Sequence, residues 1–142
     1  MRKNLFEKNI MQLFRAKLLR LAGTLVDYLL KDEKSNIVSV WSEGKAGAKR
    51  AEMNYKVIST IGNKTLVEVE LITGRSHQIR AQLSHHFAPI LADVKYGSTY
   101  KTKNRCLYLH CFELSIPHPV TKEMMKFTML PNKNDNIWQQ FF

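Results

Sequence analysis

The chain has 142 residues and a formal net charge of +10, with 44% hydrophobic and 24% charged side chains. That length supports one hydrophobic core, and the balance excludes a disordered chain. No apolar run is long enough to span a bilayer, and Cys106 and Cys111 fit neither a zinc spacing nor a disulfide framework, so a reducing, cytoplasmic setting is expected.

In chain order, residues 1–31 carry Phe6, Ile10, Leu13, Leu18, Leu21, Leu25 and Leu29 at roughly helical spacing, which predicts a helical N-terminal segment over 1–34. Gly23 divides it, and Thr24 with Asp27 resembles a helix start. The first residues are basic and amphipathic like a targeting segment, but Glu7 and Asn9 and the absence of a secretory apolar stretch argue against one. The polar stretch "KDEKSN" ends the helix, and "WSEGKAGAKRA" (41–51) reads as a basic, glycine-bearing connection.

"AEMNYKVIST" alternates, with Ala51, Met53, Tyr55 and Val57 on one face. Gly62 and Asn63 mark a turn, and Val67, Val69 and Leu71 alternate with Glu68 and Glu70, which predicts a β-hairpin with one wet face. A short helix follows from Ser76 to His86, burying Ile79 and Leu83. "CLYLHCFELSI" (106–116) and "MMKFTML" (124–130) read as strands joined by the turn-rich "PHPVTKE". The tail 132–142 reads as a short helix docking through Trp138 and the last phenylalanines. This order predicts a single α+β domain with a mixed, largely antiparallel sheet and flanking helices, its core lying within 51–131.

The charge is uneven. Residues 71–105 hold six basic and one acidic side chain, the densest excess in the chain. A polyanion is the economical partner for such a segment, and nucleic acid is the commonest one. A merely solvated basic surface is the competing explanation.

The excess centres on "LITGRSHQIRAQL" (71–83), a strand running into a helix. Free N–H groups at a helix start attract phosphate, and Arg75 would add a bidentate fork there. Arg80 lies beside Ile79 at the edge of the buried stripe, where an arginine requires a carboxylate or a phosphate. His77 and Gln78 add short-range hydrogen bonding. His77, His85 and His86 have no carboxylate or cysteine at ligand spacing, so no metal site is expected. Ser76 and His77 are adjacent on a helix and so do not form a nucleophile–base pair.

The run "LITGRSHQIRAQL", then "APILADVKYG", then "RCLYLHCFELSIPHP", resembles the RluA-type family of RNA pseudouridine synthases in order and spacing. The likeness extends from about Ala51 to Pro131, and its motifs match the C-terminal part of that family's catalytic domain. Ala92 and Cys111 are small departures from its pattern. The larger departure is that no histidine here is followed by Arg-Leu-Asp, the type of motif that carries the family's catalytic aspartate. "LRLAG" (19–23) mimics it only loosely, with Ala22 in the aspartate's position.

The resemblance implies isomerisation of uridine to pseudouridine in ribosomal or transfer RNA, with no metal or cofactor. It implies that Arg80 pairs with a catalytic aspartate this chain does not contain, and that Ile79 forms a wall of the uracil pocket. Thr73, Gly74, Arg75, His77 and Gln78 would shape the junction and contact the RNA backbone, Lys95 and Arg105 would bind RNA as well, and Asp93 and Tyr96 would brace the loop after the helix. The chain is then expected to be inactive by itself and to work with a separate N-terminal half or a second copy of itself. A non-catalytic RNA-binding module is the alternative, and an unrelated basic domain is the third.

Overall fold

The computed structural model describes residues 7–14 as backbone, and residues 21–104, 106–132 and 134–142 in full. Seven strands form one sheet: β1 (Glu7–Phe14), β2 (Ala22–Asp32), β3 (Ile37–Trp41), β4 (Lys49–Ile61), β5 (Lys64–Leu71), β6 (Leu109–Pro117) and β7 (Met124–Thr128). Their order is β3-β2-β4-β5-β1-β6-β7, and every pairing is antiparallel. Among the described residues, one α-helix, α1 (Gln78–His86), and short 3-10 turns at Val94–Tyr96 and Trp138–Phe141 accompany the sheet. The α+β class is as the sequence predicts.

The N-terminal helices are not. Where residues 1–34 are described, they form β1, β2 and the start of a turn, and "KDEKSN" is the end of β2 with the turn 33–36 that leads to β3. Leu25 and Leu29 lie four apart, which suits one face of a strand as well as one face of a helix. The run Thr24-Leu25-Val26-Asp27-Tyr28 is rich in β-branched and aromatic side chains, which favours the strand. Leu21, counted in the helical stripe, is 74% exposed. Asp32 closes the turn by accepting from the Lys34 N–H and the Ser35 hydroxyl, both at 3.0 Å, and these bonds hold its carboxyl below the usual range.

Gly23 has a packing role rather than a helix-breaking one. It pairs with Tyr55 on β4, and a Cβ there would sit 3.0 Å from that ring. Tyr55 is itself buried, so it has little room to move aside.

The hairpin of β4 and β5 follows the predicted alternation. Ala51, Met53, Tyr55, Val67 and Val69 are buried. Glu68 and Glu70 are half-buried rather than fully wet, and Asn54 donates to Glu70 at 3.0 Å. Helix α1 lays Ile79 and Leu83 on this hairpin in a cluster with Met53, Tyr55, Val67, Val69 and Ile90. Each such buried side chain stabilises the fold by about 1.5–3 kcal/mol. A second cluster joins Leu29, Val38 and Ala51 to Ala81 of the helix. A third, around Leu66, Leu91 and Tyr108, receives Trp138 from the tail as predicted. The first two clusters clamp α1 onto the sheet and fix the direction of its outward side chains.

Candidate functional site

The junction from β5 to α1 is tied together by Thr73 and Gln78. The Thr73 hydroxyl accepts from the Glu52 N–H at 2.9 Å and donates to Gln78 Oε1 at 2.8 Å. That oxygen also accepts from the Arg75 N–H at 2.9 Å, while Gln78 Nε2 donates to the Glu52 carbonyl at 3.0 Å. Gln78 is 2% exposed, so neither amide atom is open to a ligand. Thr73 and Gln78 therefore shape the junction and do not present donors to RNA. The helix start differs from expectation for the same reason. The Arg75 N–H is taken by Gln78, and the Gln78 N–H donates to the Arg75 carbonyl at 3.1 Å.

Because α1 buries Ile79, Ala81, Gln82 and Leu83, its remaining face carries Arg80 and Ser84, one turn apart. Both meet the loop that follows. Ser84 donates to the Tyr96 carbonyl at 2.8 Å. Arg80 donates through Nε to Asp93 Oδ2 at 2.9 Å and through Nη2 to Asp93 Oδ1 at 2.8 Å. Its guanidinium carbon lies 4.9 Å from the centre of the Tyr96 ring. Asp93 is 1% exposed, and the hydrogen bond to it raises the Arg80 pKa further. Arg80 is therefore paired within the chain, which the sequence reading did not foresee. It already has a buried carboxylate, and Nη1 makes no hydrogen bond among the described residues. A bidentate partner on one edge of a guanidinium fixes its plane and leaves the other edge to bind.

His77 precedes the helix in the left-handed region, with φ 51°. Its Nδ1 lies 2.8 Å from the Tyr96 hydroxyl, which also accepts from the Val38 N–H at 2.9 Å. Burial lowers the His77 pKa, and nearby Arg80, Lys95 and Lys31 lower it further. Burial raises that of Tyr96. Both groups are therefore neutral near pH 7. Since β3 is an edge strand, Tyr96 also occupies one of its open N–H groups.

Arg80 and Asp93 form the back of a cleft of about 430 Å³, lined also by Lys95, Lys101, Lys103 and Leu107. Four cations face one carboxylate, and that carboxylate is already paired. Such a surface attracts anions. Ile79 lies behind the cleft in the core, 5% exposed, and is not among the cleft-lining residues as the sequence reading had it. Gly74 and Arg75 open onto a different depression, so the predicted contact set is divided between two places. Arg105 lies outside the described residues. Sequence reasoning missed Lys101 and Lys103, although their charges were counted in the basic segment.

His86 does not join the cleft. Its Nε2 lies 2.8 Å from Asp27 Oδ2, which also accepts from Gln82 Nε2 at 2.7 Å. Among the described residues no helix is long and apolar enough to cross a membrane.

Residues 3–85 match the family model described as RNA pseudouridylate synthase. The chain belongs to the RNA pseudouridylate synthase family. Ribosomal large subunit pseudouridine synthase C of Vibrio vulnificus (strain CMCP6) is 37% identical over 105 residues, covering 69% of this chain and 32% of the relative. tRNA pseudouridine synthase C of Vibrio parahaemolyticus serotype O3:K6 is 28% identical over 136 residues, covering 83% of this chain and 54% of the relative. Human RNA pseudouridylate synthase domain containing 4 superposes with a TM-score of 0.73 at 25% identity, covering 92% of this chain and 60% of that one. The chain thus spans about a third to about a half of the length of these curated relatives.

Proposed function

We propose that this chain supplies the RNA-binding and arginine-bearing part of a site that isomerises uridine to pseudouridine in ribosomal or transfer RNA. The observation that carries the reading is Arg80, oriented by the buried Asp93 at the back of a lysine-lined cleft. The target base must leave its stack to be reached, so the site needs a cavity and cations beside it to hold the flanking phosphates. Lys95, Lys101 and Lys103 suit the second task. The open edge of Arg80 suits a second carboxylate, which it would hold ionised and aimed at the sugar or base.

That second carboxylate is the nucleophile in this reading, and it comes from outside these 142 residues. Asp93 is a poor substitute, because both of its oxygens are engaged by Arg80 and it is almost fully buried. The test is release of tritium from carbon 5 of uridine in bulk ribosomal and transfer RNA. The assay compares the chain alone with the chain supplied with a polypeptide bearing the His-Arg-Leu-Asp-type motif. Turnover is expected only in the second case, and Arg80→Lys should abolish most of it, since a point charge cannot span two carboxylates. Turnover by the chain alone would overturn the assignment of the nucleophile. A module that binds RNA without catalysis would bind in both cases and turn over in neither.

A further inference from the structure

The depression on the other side of the His77–Tyr96 pair has about the same volume as the cleft, about 430 Å³. Its floor includes Leu29 of β2 and Val38 of β3. Around it stand Lys31 from β2, Lys49 from β4 and Arg75 from the junction loop, with Glu33 the one carboxylate in its lining. Lys31, Lys49 and Arg75 form no ion pair among the described residues. Arg75 is nonetheless held in place, because its Nε donates to the Arg50 carbonyl at 2.8 Å, which leaves its terminal nitrogens to face outward. Three cations drawn from three separate elements, one of them anchored, form a built surface rather than a chance cluster on one loop.

The two depressions have no lining residue in common, but Tyr96 contacts one lining residue of each. Tyr96 touches the groove floor through the Val38 N–H, and its ring stacks against Arg80 in the cleft. His77 sits within electrostatic range of Lys31 on one side and of Lys95 and Arg80 on the other. Basic groups therefore continue from Lys49 and Arg75, through Lys31, past His77, to Lys95 and Lys101.

We propose that the Lys31–Lys49–Arg75 groove is a second phosphate-binding site, which holds the backbone of single-stranded RNA after it leaves the Arg80 cleft over the His77–Tyr96 pair. The inference rests on the RNA reading above and extends it to a surface beyond the site of chemistry. Non-specific single-strand sites work by a basic track along the backbone, and each phosphate neutralised adds about 0.7 to the salt slope. Lys31 and Lys49 are exposed, so replacing them should leave the fold intact, which circular dichroism can verify.

The experiment measures fluorescence anisotropy of labelled oligouridylates on the full chain across a salt series. One probe of about 16 nucleotides is long enough for both depressions, and one of about 4 nucleotides fits one only. Lys31→Ala with Lys49→Ala should lower the salt slope for the long probe by about 1.4 and weaken its binding several-fold. Lys101→Ala with Lys103→Ala should weaken both probes. Long-probe binding that ignores the groove pair but responds to the cleft pair would overturn the second site and leave the proposed function standing. Indifference to both pairs would overturn both.

Discussion

Between Thr73 and Tyr96 the polar side chains are bound to one another, whereas along β7 and the residues after it apolar side chains stand in the open. At the junction, Thr73, Gln78, His77, Arg80, Asp93 and Tyr96 are joined by hydrogen bonds of 2.8–2.9 Å. At the far edge, Met124, Phe127, Met129 and Leu130 are each more than half exposed on or just after the last strand of the sheet. The junction resists change because removing one partner strands another in a region with little water. The edge tolerates change in the folded chain but presents a surface that favours association, being an apolar strand whose outer side has no partner among the described residues. One region fixes the geometry of a site; the other is suited to being covered.

The largest effect that could break this contrast is at Asp93. Asp93→Asn should destabilise the chain by about 3 kcal/mol, because Arg80 then keeps its charge without its partner. Urea denaturation checks this, and adding Arg80→Met should recover part of the loss if the two residues act as a pair. A loss no greater in Asp93→Asn than in a surface variant would mean the junction is not bound as described.

A smaller effect concerns acid. The folded-state pKa of His77 lies below the ordinary imidazole value of 6.5. Between the two values the unfolded chain binds more protons than the folded one, so stability falls as pH drops below about 6.5 and levels off below the folded value. His77→Asn keeps a residue that tolerates positive φ and removes the titration. Its stability should therefore depend less on pH across that window. An unchanged pH profile would show that neither burial nor the surrounding cations depress the His77 pKa.

The smallest effect on stability belongs to the edge. Phe127→Lys should change unfolding free energy by no more than about 0.5 kcal/mol while reducing self-association in sedimentation. A large stability loss there would show that the edge is as integrated as the junction.

Legibility in the sequence followed the same division between local and distant information. The β4–β5 hairpin could be read because alternation and the Gly62-Asn63 turn are local signals, and the short helix because Ile79 and Leu83 recur at helical spacing. The first two strands could not, since leucines at even spacing suit either period and the partners of these strands come later in the chain. Arg80 was recognisable as a cation in need of an anion. Its partner was not, because Asp93 lies thirteen residues further on and only the return of the loop over α1 brings them together. The groove around Lys31 and Lys49 was equally hidden, because Lys31 comes from a strand that the leucine pattern disguised as helix and Lys49 from a stretch that read as a connection.

The place of β1 in the sheet bears on how the chain is made. It lies between β5 and β6, paired with Lys64–Leu71 on one side and with Leu109–Pro117 on the other. During vectorial synthesis Glu7–Phe14 leaves the ribosome ahead of either neighbour. It must then wait with both backbone edges unpaired while β2 pairs with β3 and β4. Contacts of such long sequence separation form late and slowly. A strand made before both of its neighbours is thus among the last to be locked, and until residue 117 has emerged its backbone edges stay open to mispairing.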